Sequence, residues 1–71
     1  MNDIQKTQIE NGISFLIREM LEMYAKKYHV TFDEALDGFT KSDTYNALYD
    51  FDTGLFREGP VYLLEWYEKY H

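Results

Sequence analysis

Apolar side chains in the first 28 residues recur at spacings of three and four. From Ile9 onward they are Ile13, Leu16, Ile17, Met20, Leu21, Tyr24 and Tyr28. This period places them on one broad face of a helix. Arg18, Glu22 and Lys26 follow one another at four-residue steps, which is typical of a solvent-facing helix surface. We therefore predict a first helix over about residues 4–28.

Capping residues mark two further helix starts. Thr31, with Glu34 three positions later, forms a capping box and predicts a second helix that ends near Thr40. Ser42 offers the next N-cap, for a third helix that stops near Phe51. The inner faces of these two helices are predicted to consist of Phe32, Ala35, Leu36, Phe39, Tyr45, Leu48 and Tyr49.

A fourth helix is predicted to open at Gly59 and Pro60, because proline is tolerated in a first turn that has no amide partner to lose. No strand pattern competes with the helical ones. We predict a single all-α domain over residues 1–71, a small bundle of about four helices with one long N-terminal helix packed on three shorter ones. The inner stripe of the fourth helix is predicted to be Leu63, Trp66, Tyr67 and Tyr70.

Composition agrees with a small packed domain. A chain of 71 residues buries only about 60% of its unfolded surface, so its core must be efficient or shared with a partner. Hydrophobic residues make up 45% of the chain, and the absence of cysteine excludes disulfides and thiolate zinc sites. The polar start MNDIQKTQIE is unlike a signal peptide, and no apolar run is long enough for a membrane helix. We expect a cytoplasmic protein without a membrane role.

The net charge of −6 disfavours nucleic acid as a partner, because cations provide the energy of phosphate binding. Residues 31–51 could nevertheless form a helix-turn-helix. Its candidate recognition helix offers Asn46 alone to the bases, between Asp43 and Asp50. A DNA-binding, transcription-associated protein is therefore the alternative interpretation, and no nucleic-acid partner is expected.

The acidic stretch after the third helix invites comparison with a calcium-binding EF-hand loop. If Asp50 is position 1, Asp52 fits position 3, but Gly54 falls one place before the position that needs glycine. Val61 stands where the bidentate glutamate is needed. We therefore predict a simple turn at residues 52–54, followed by a hydrophobic plug that begins at Leu55.

No catalytic, cofactor or metal constellation emerges elsewhere. His29 and His71 lack the spacing of a zinc site, and no glycine-rich phosphate loop is present. Ser42 is already assigned to a helix cap, and a serine nucleophile needs a positioned base. We expect neither enzymatic activity nor a cofactor.

The distribution of aromatic residues indicates an interaction protein. Tyr and Trp are enriched at binding hot spots. A small core rarely has room for all of the aromatics in the second half of the chain: Tyr45, Tyr49, Phe51, Phe56, Tyr62, Trp66, Tyr67 and Tyr70.

Tyr62 is the best surplus candidate, because the predicted inner stripe of the fourth helix turns it partly outward. Asp50, Asp52 and Glu58 lie near it in sequence and could steer a protein with a basic surface towards it. We predict these four as partner-binding residues. A solvated acidic face, tyrosines at the core margin and a homodimer remain alternatives.

The chain also resembles a known group of proteins in the segments FLIREMLEMYAKKYHVTFDEALDGF and GPVYLLEWYEKY. They are similar to an uncharacterised family of short bacterial proteins, known as a domain of unknown function. Members are often encoded beside toxin-like genes of ADP-ribosyltransferase type. The resemblance implies an antitoxin-like or accessory role, and it implies no particular functional residues.

Overall fold

The computed structural model describes residues 3–70, with side chains from residue 7 onward. This part of the chain contains four α-helices, two 3-10 turns and no strands, which confirms the predicted all-α bundle. The helices are α1 (Asp3–Tyr28), α2 (Phe32–Thr40), α3 (Asp43–Tyr49) and α4 (Pro60–Tyr70). The 3-10 turns, Phe51–Thr53 and Leu55–Arg57, connect α3 to α4. Among these helices, none is long and apolar enough to cross a membrane.

The long helix α1 forms one side of the bundle, and each shorter helix packs against it. The apolar stripe predicted for α1 supplies about half of the core, and Phe39 and Tyr67 meet edge to face across it with ring centroids 5.0 Å apart. Such a contact stabilises beyond simple burial. The buried hydrophobic residues are Ile13, Leu16, Ile17, Met20, Leu21, Ala35, Phe39, Leu48, Leu55, Leu63 and Tyr67.

Both predicted N-caps are present. The Thr31 hydroxyl accepts a hydrogen bond from the Glu34 amide at 3.1 Å, and the same hydroxyl donates to the Glu34 carboxylate at 3.1 Å. The Ser42 hydroxyl accepts from the Tyr45 amide at 3.2 Å and donates to the Phe39 carbonyl at 2.6 Å. Ser42 therefore ends α2 and begins α3 at the same point.

His29 closes α1 in the left-handed backbone region, with a φ of 56°. The next amide, of Val30, donates to the Ala25 carbonyl at 3.1 Å, which is the long-range bond of a Schellman cap. Glycine usually occupies the left-handed position of such a cap because it has no Cβ to clash. The cap reverses the chain so that α2 starts only three residues later.

Four side chains lie differently from the predicted faces. Tyr28, Tyr49 and Tyr70, all predicted on inner faces, are 44%, 38% and 54% exposed. Thr44 is only 2% exposed and takes the inner position of α3. Thr44 and Tyr49 lie about 140° apart around the helix axis, and the packing of this seven-residue helix brings Thr44 rather than Tyr49 to the core.

Candidate functional site

Three aromatic side chains line one face of α4 and form what we call the aromatic ridge: Tyr62, Trp66 and Tyr70. They are spaced four residues apart, which brings them to the same helix face. The ring centroids of Tyr62 and Trp66 are 6.3 Å apart, and those of Trp66 and Tyr70 are 4.6 Å apart. Tyr62 is 45% exposed, as predicted, whereas Trp66 and Tyr70 belong to the ridge rather than to a purely inner stripe. Their four-residue spacing was the sequence signal for this ridge.

A shallow cavity of about 290 Å³ lies along the ridge, and Glu65 and Lys69 contribute to its lining. The Lys69 ammonium lies 5.3 Å from the centroid of the Tyr70 ring, close enough for a cation–π contact. The lining of this cavity therefore already includes a cation and a carboxylate of the protein.

A second cavity, of about 160 Å³, lies on the other side of Tyr62 and Trp66. We call it the Glu58 cleft, after its one carboxylate. The remaining lining comes from α3 and the connection to α4: Ala47, Thr53, Gly54 and Leu55. Among the residues that the structure describes, no lysine, arginine or histidine contributes to it.

Local hydrogen bonds build the floor of the Glu58 cleft. The Thr53 hydroxyl donates to the carbonyl oxygens of Ala47 and Asp50, both at 2.9 Å, and accepts from the Leu55 amide at 3.2 Å. Gly54 adopts a φ of 71°, a conformation that glycine accepts without strain. The turn predicted at residues 52–54 is thus confirmed, and it directs Leu55 into the core.

The four predicted partner-binding residues separate into two pairs. Tyr62 and Glu58 line the same cleft. Asp50 and Asp52 are exposed in the connecting turn and are not among the cleft's lining residues. The Asp50 carboxylate accepts from the Asp52 amide at 3.2 Å, so it already caps the first 3-10 turn.

Another polar cluster joins the ends of α1 and α4. The Glu68 carboxylate accepts hydrogen bonds from the Lys27 ammonium, at 2.5 Å, and from the Tyr28 hydroxyl. The bond from Lys27, followed by that from Tyr28, lowers the pKa of Glu68, and the same contacts raise the pKa of Lys27 and Tyr28. This cluster links the C-terminal ends of two helices, and its three side chains are bonded to one another.

A third cavity, of about 260 Å³, lies between α1, α2 and α3 and is mostly apolar. Tyr45 and Tyr49 form one wall, and burial, followed by the proximity of Tyr45, raises the pKa of the Tyr49 hydroxyl. Arg18 lines its rim and pairs with Glu22 at 4.0 Å. Nothing in this groove indicates the chemistry of an occupant.

The predicted recognition helix, α3, exposes Asn46 together with Asp43 and Asp50. Lys41, just before it, is paired with Asp37 at 3.1 Å. This surface is not favourable for phosphate, and DNA binding stays the alternative prediction. Over the described residues, no three His, Asp or Glu side chains are grouped so as to hold a metal ion.

Comparison of the chain with protein-family models, with curated proteins and with solved structures found no match. The resemblance to the uncharacterised bacterial family therefore stays a prediction.

Proposed function

We propose that this protein is a non-catalytic interaction module that binds a protein with a basic surface through the aromatic ridge of α4. The observation that supports this most directly is the alignment of Tyr62, Trp66 and Tyr70 along one helix face, where Tyr62 and Tyr70 are exposed and Trp66 is partly buried. Rigid aromatic side chains provide large contact area at low entropic cost, and Tyr and Trp are enriched among hot-spot residues.

The charge distribution supports a basic partner. The chain carries 13 acidic against 7 basic residues. Several of the basic residues are engaged within the described structure, including Lys27 with Glu68 and Lys41 with Asp37. A negative electrostatic field of this kind increases the rate of association with positively charged partners. That association rate is expected to fall as the salt concentration rises.

An antitoxin-like role is the specific version of this proposal. It rests on the family resemblance, and its partner would be a toxin of ADP-ribosyltransferase type encoded next to this protein. A non-catalytic acidic module with an exposed aromatic face is compatible with that role. Co-expression of the two proteins, followed by measurement of the mass of the complex, tests it directly.

The general proposal is tested by affinity capture of the tagged protein from its native cell extract, with identification of bound proteins and measurement of the complex mass by light scattering. We expect a stoichiometric basic partner whose capture is lost with Tyr62→Ala and with Tyr70→Ala. Phe15→Ala is the matched control, because Phe15 is also an exposed aromatic residue but lies on α1. It is expected to retain the partner.

Two results would contradict the proposal. In one, capture is unaffected by both ridge substitutions and is lost with Phe15→Ala, so that the interface lies on another face. In the other, light scattering shows only a homodimer that Tyr62→Ala converts to a monomer. The ridge would then close an interface between two copies of this chain.

A further inference from the structure

We infer that the Glu58 cleft receives an arginine side chain of the partner protein. The inference rests on the proposed function and specifies which group of the partner is recognised. Three features of the cleft support the inference: its aromatic walls, a carboxylate that is not paired with a described cation, and a volume that suits a single side chain.

The walls are suited to a flat cation. Tyr62 and Trp66 line the cleft with ring planes inclined by 32° and centroids 6.3 Å apart. A cation over the face of Trp or Tyr is attracted by the ring quadrupole. A guanidinium group also stacks on such a face, because it is planar and more weakly hydrated than an ammonium group.

The carboxylate is available for pairing. Among the side chains that the structure describes, no cation lies within ion-pair distance of Glu58. Its neighbour Arg57 places its guanidinium 5.4 Å from the centroid of the Phe56 ring. The described lining residues of the cleft therefore combine a negative charge with aromatic surface and include no cation. The cavity along the ridge differs, because Lys69 and Glu65 both line it.

The volume fits one side chain rather than a segment of chain. At about 160 Å³ the cleft is well below the roughly 300 to 1,000 Å³ of a typical ligand pocket. This is enough for a guanidinium group and the carbon atoms next to it. The arginine head can then stack on the rings and donate two parallel hydrogen bonds to the Glu58 carboxylate.

Nuclear magnetic resonance titration of the whole protein tests this assignment. The probes are three blocked pentapeptides, GAXAG, in which X is arginine, lysine or citrulline, the neutral analogue of arginine with nearly the same shape. With the arginine peptide, we expect concentration-dependent shifts at the Gly54 amide and the Trp66 indole N–H. The lysine peptide should give smaller shifts at the same signals, and the citrulline peptide should give none.

Two charge-neutralising variants locate the site. Glu58→Gln is expected to lower the affinity for the arginine peptide about threefold to fivefold, which is the range expected for loss of a partly exposed ion pair. Asp33→Asn is the matched control, because it removes one exposed acid from α2, which does not line the cleft. The Asp33→Asn variant should bind the arginine peptide with the wild-type affinity, within experimental error. The spectra themselves show whether each variant is folded.

Equal shifts with arginine and citrulline peptides would overturn the inference, as would arginine-dependent shifts that spread over the acidic surface and are equally weakened by both variants. Capture of the native partner separates this inference from the proposed function. If Glu58→Gln leaves the affinity for the captured partner unchanged but Tyr62→Ala abolishes binding, the ridge binds the partner and the arginine assignment is wrong. If capture survives both, the proposed function is wrong as well.

Discussion

Replacement of Leu63 by alanine should reveal how strongly α4 supports the fold. Leu63 is fully buried, and the substitution removes three carbon atoms from the core, or roughly 2.4 kcal/mol at about 0.8 kcal/mol per buried carbon. The cavity that remains adds to this, so the expected total is about 2 to 5 kcal/mol. A chain of 71 residues has a free energy of unfolding of about 4 to 10 kcal/mol. The variant should therefore lose a large fraction of its stability.

Urea titration followed by circular dichroism measures the change, and the midpoint should fall without a change in slope. Thermal melting should drop by about 10 °C or more, at roughly 4 to 8 °C per kcal/mol. Val61→Ala is the control, because Val61 lies on the same helix and is largely exposed; it should stay within about 0.5 kcal/mol of wild type. A loss below about 0.5 kcal/mol for Leu63→Ala would refute the assignment of the buried stripe.

Three further predictions concern helix ends. His29→Gly should raise the free energy of unfolding by about 1 kcal/mol, because glycine adopts the left-handed backbone conformation without a steric cost. A urea midpoint below that of wild type would show that the imidazole side chain itself contributes to stability. Thr31→Ala should cost about 1 kcal/mol through loss of the cap of α2, and unchanged stability in the same titration would argue against that cap. The cluster of Glu68, Lys27 and Tyr28 predicts a pH dependence. The pKa of Glu68 is lowered by its hydrogen bonds from Lys27 and Tyr28, so its contribution is present above the ordinary value of about 4.5 and is lost as the pH falls through the lower folded value. The pKa of Lys27 and of Tyr28 is raised, so their contributions are lost only as the pH rises above their ordinary values of 10.5 and 10.0. The difference in melting temperature between wild type and Glu68→Gln should therefore shrink below pH 4.5, and a constant difference across that range would contradict the assignment.

Local chemistry explains which parts of the fold could be predicted from the sequence. The starts of α2 and α3 depend on one hydroxyl each, Thr31 and Ser42, and both caps are present as predicted. The rotation of a short helix depends instead on its neighbours, which is why Thr44 rather than Tyr49 is buried on α3.

The candidate site could likewise be predicted from the sequence only in part. The outward position of Tyr62 followed from the period of α4 alone. The Glu58 cleft also needs the turn at Gly54 and the packing of α3 beside α4, which no sequence spacing reveals. The contact of Lys27 with Glu68 likewise joins residues 41 positions apart.

The packing of α4 on α1 has a consequence for how the chain can be divided. The two helices complete one core although α2, α3 and both 3-10 turns separate them along the sequence. Both residues of the link before α4, Glu58 and Gly59, are exposed to solvent. A cut there would leave an N-terminal fragment whose apolar core surface is exposed to water. The C-terminal fragment would contain only the 11-residue helix α4, which is too short to be stable alone in water. We expect such a divided chain to behave as a split protein, whose two parts regain full helicity only when they are mixed.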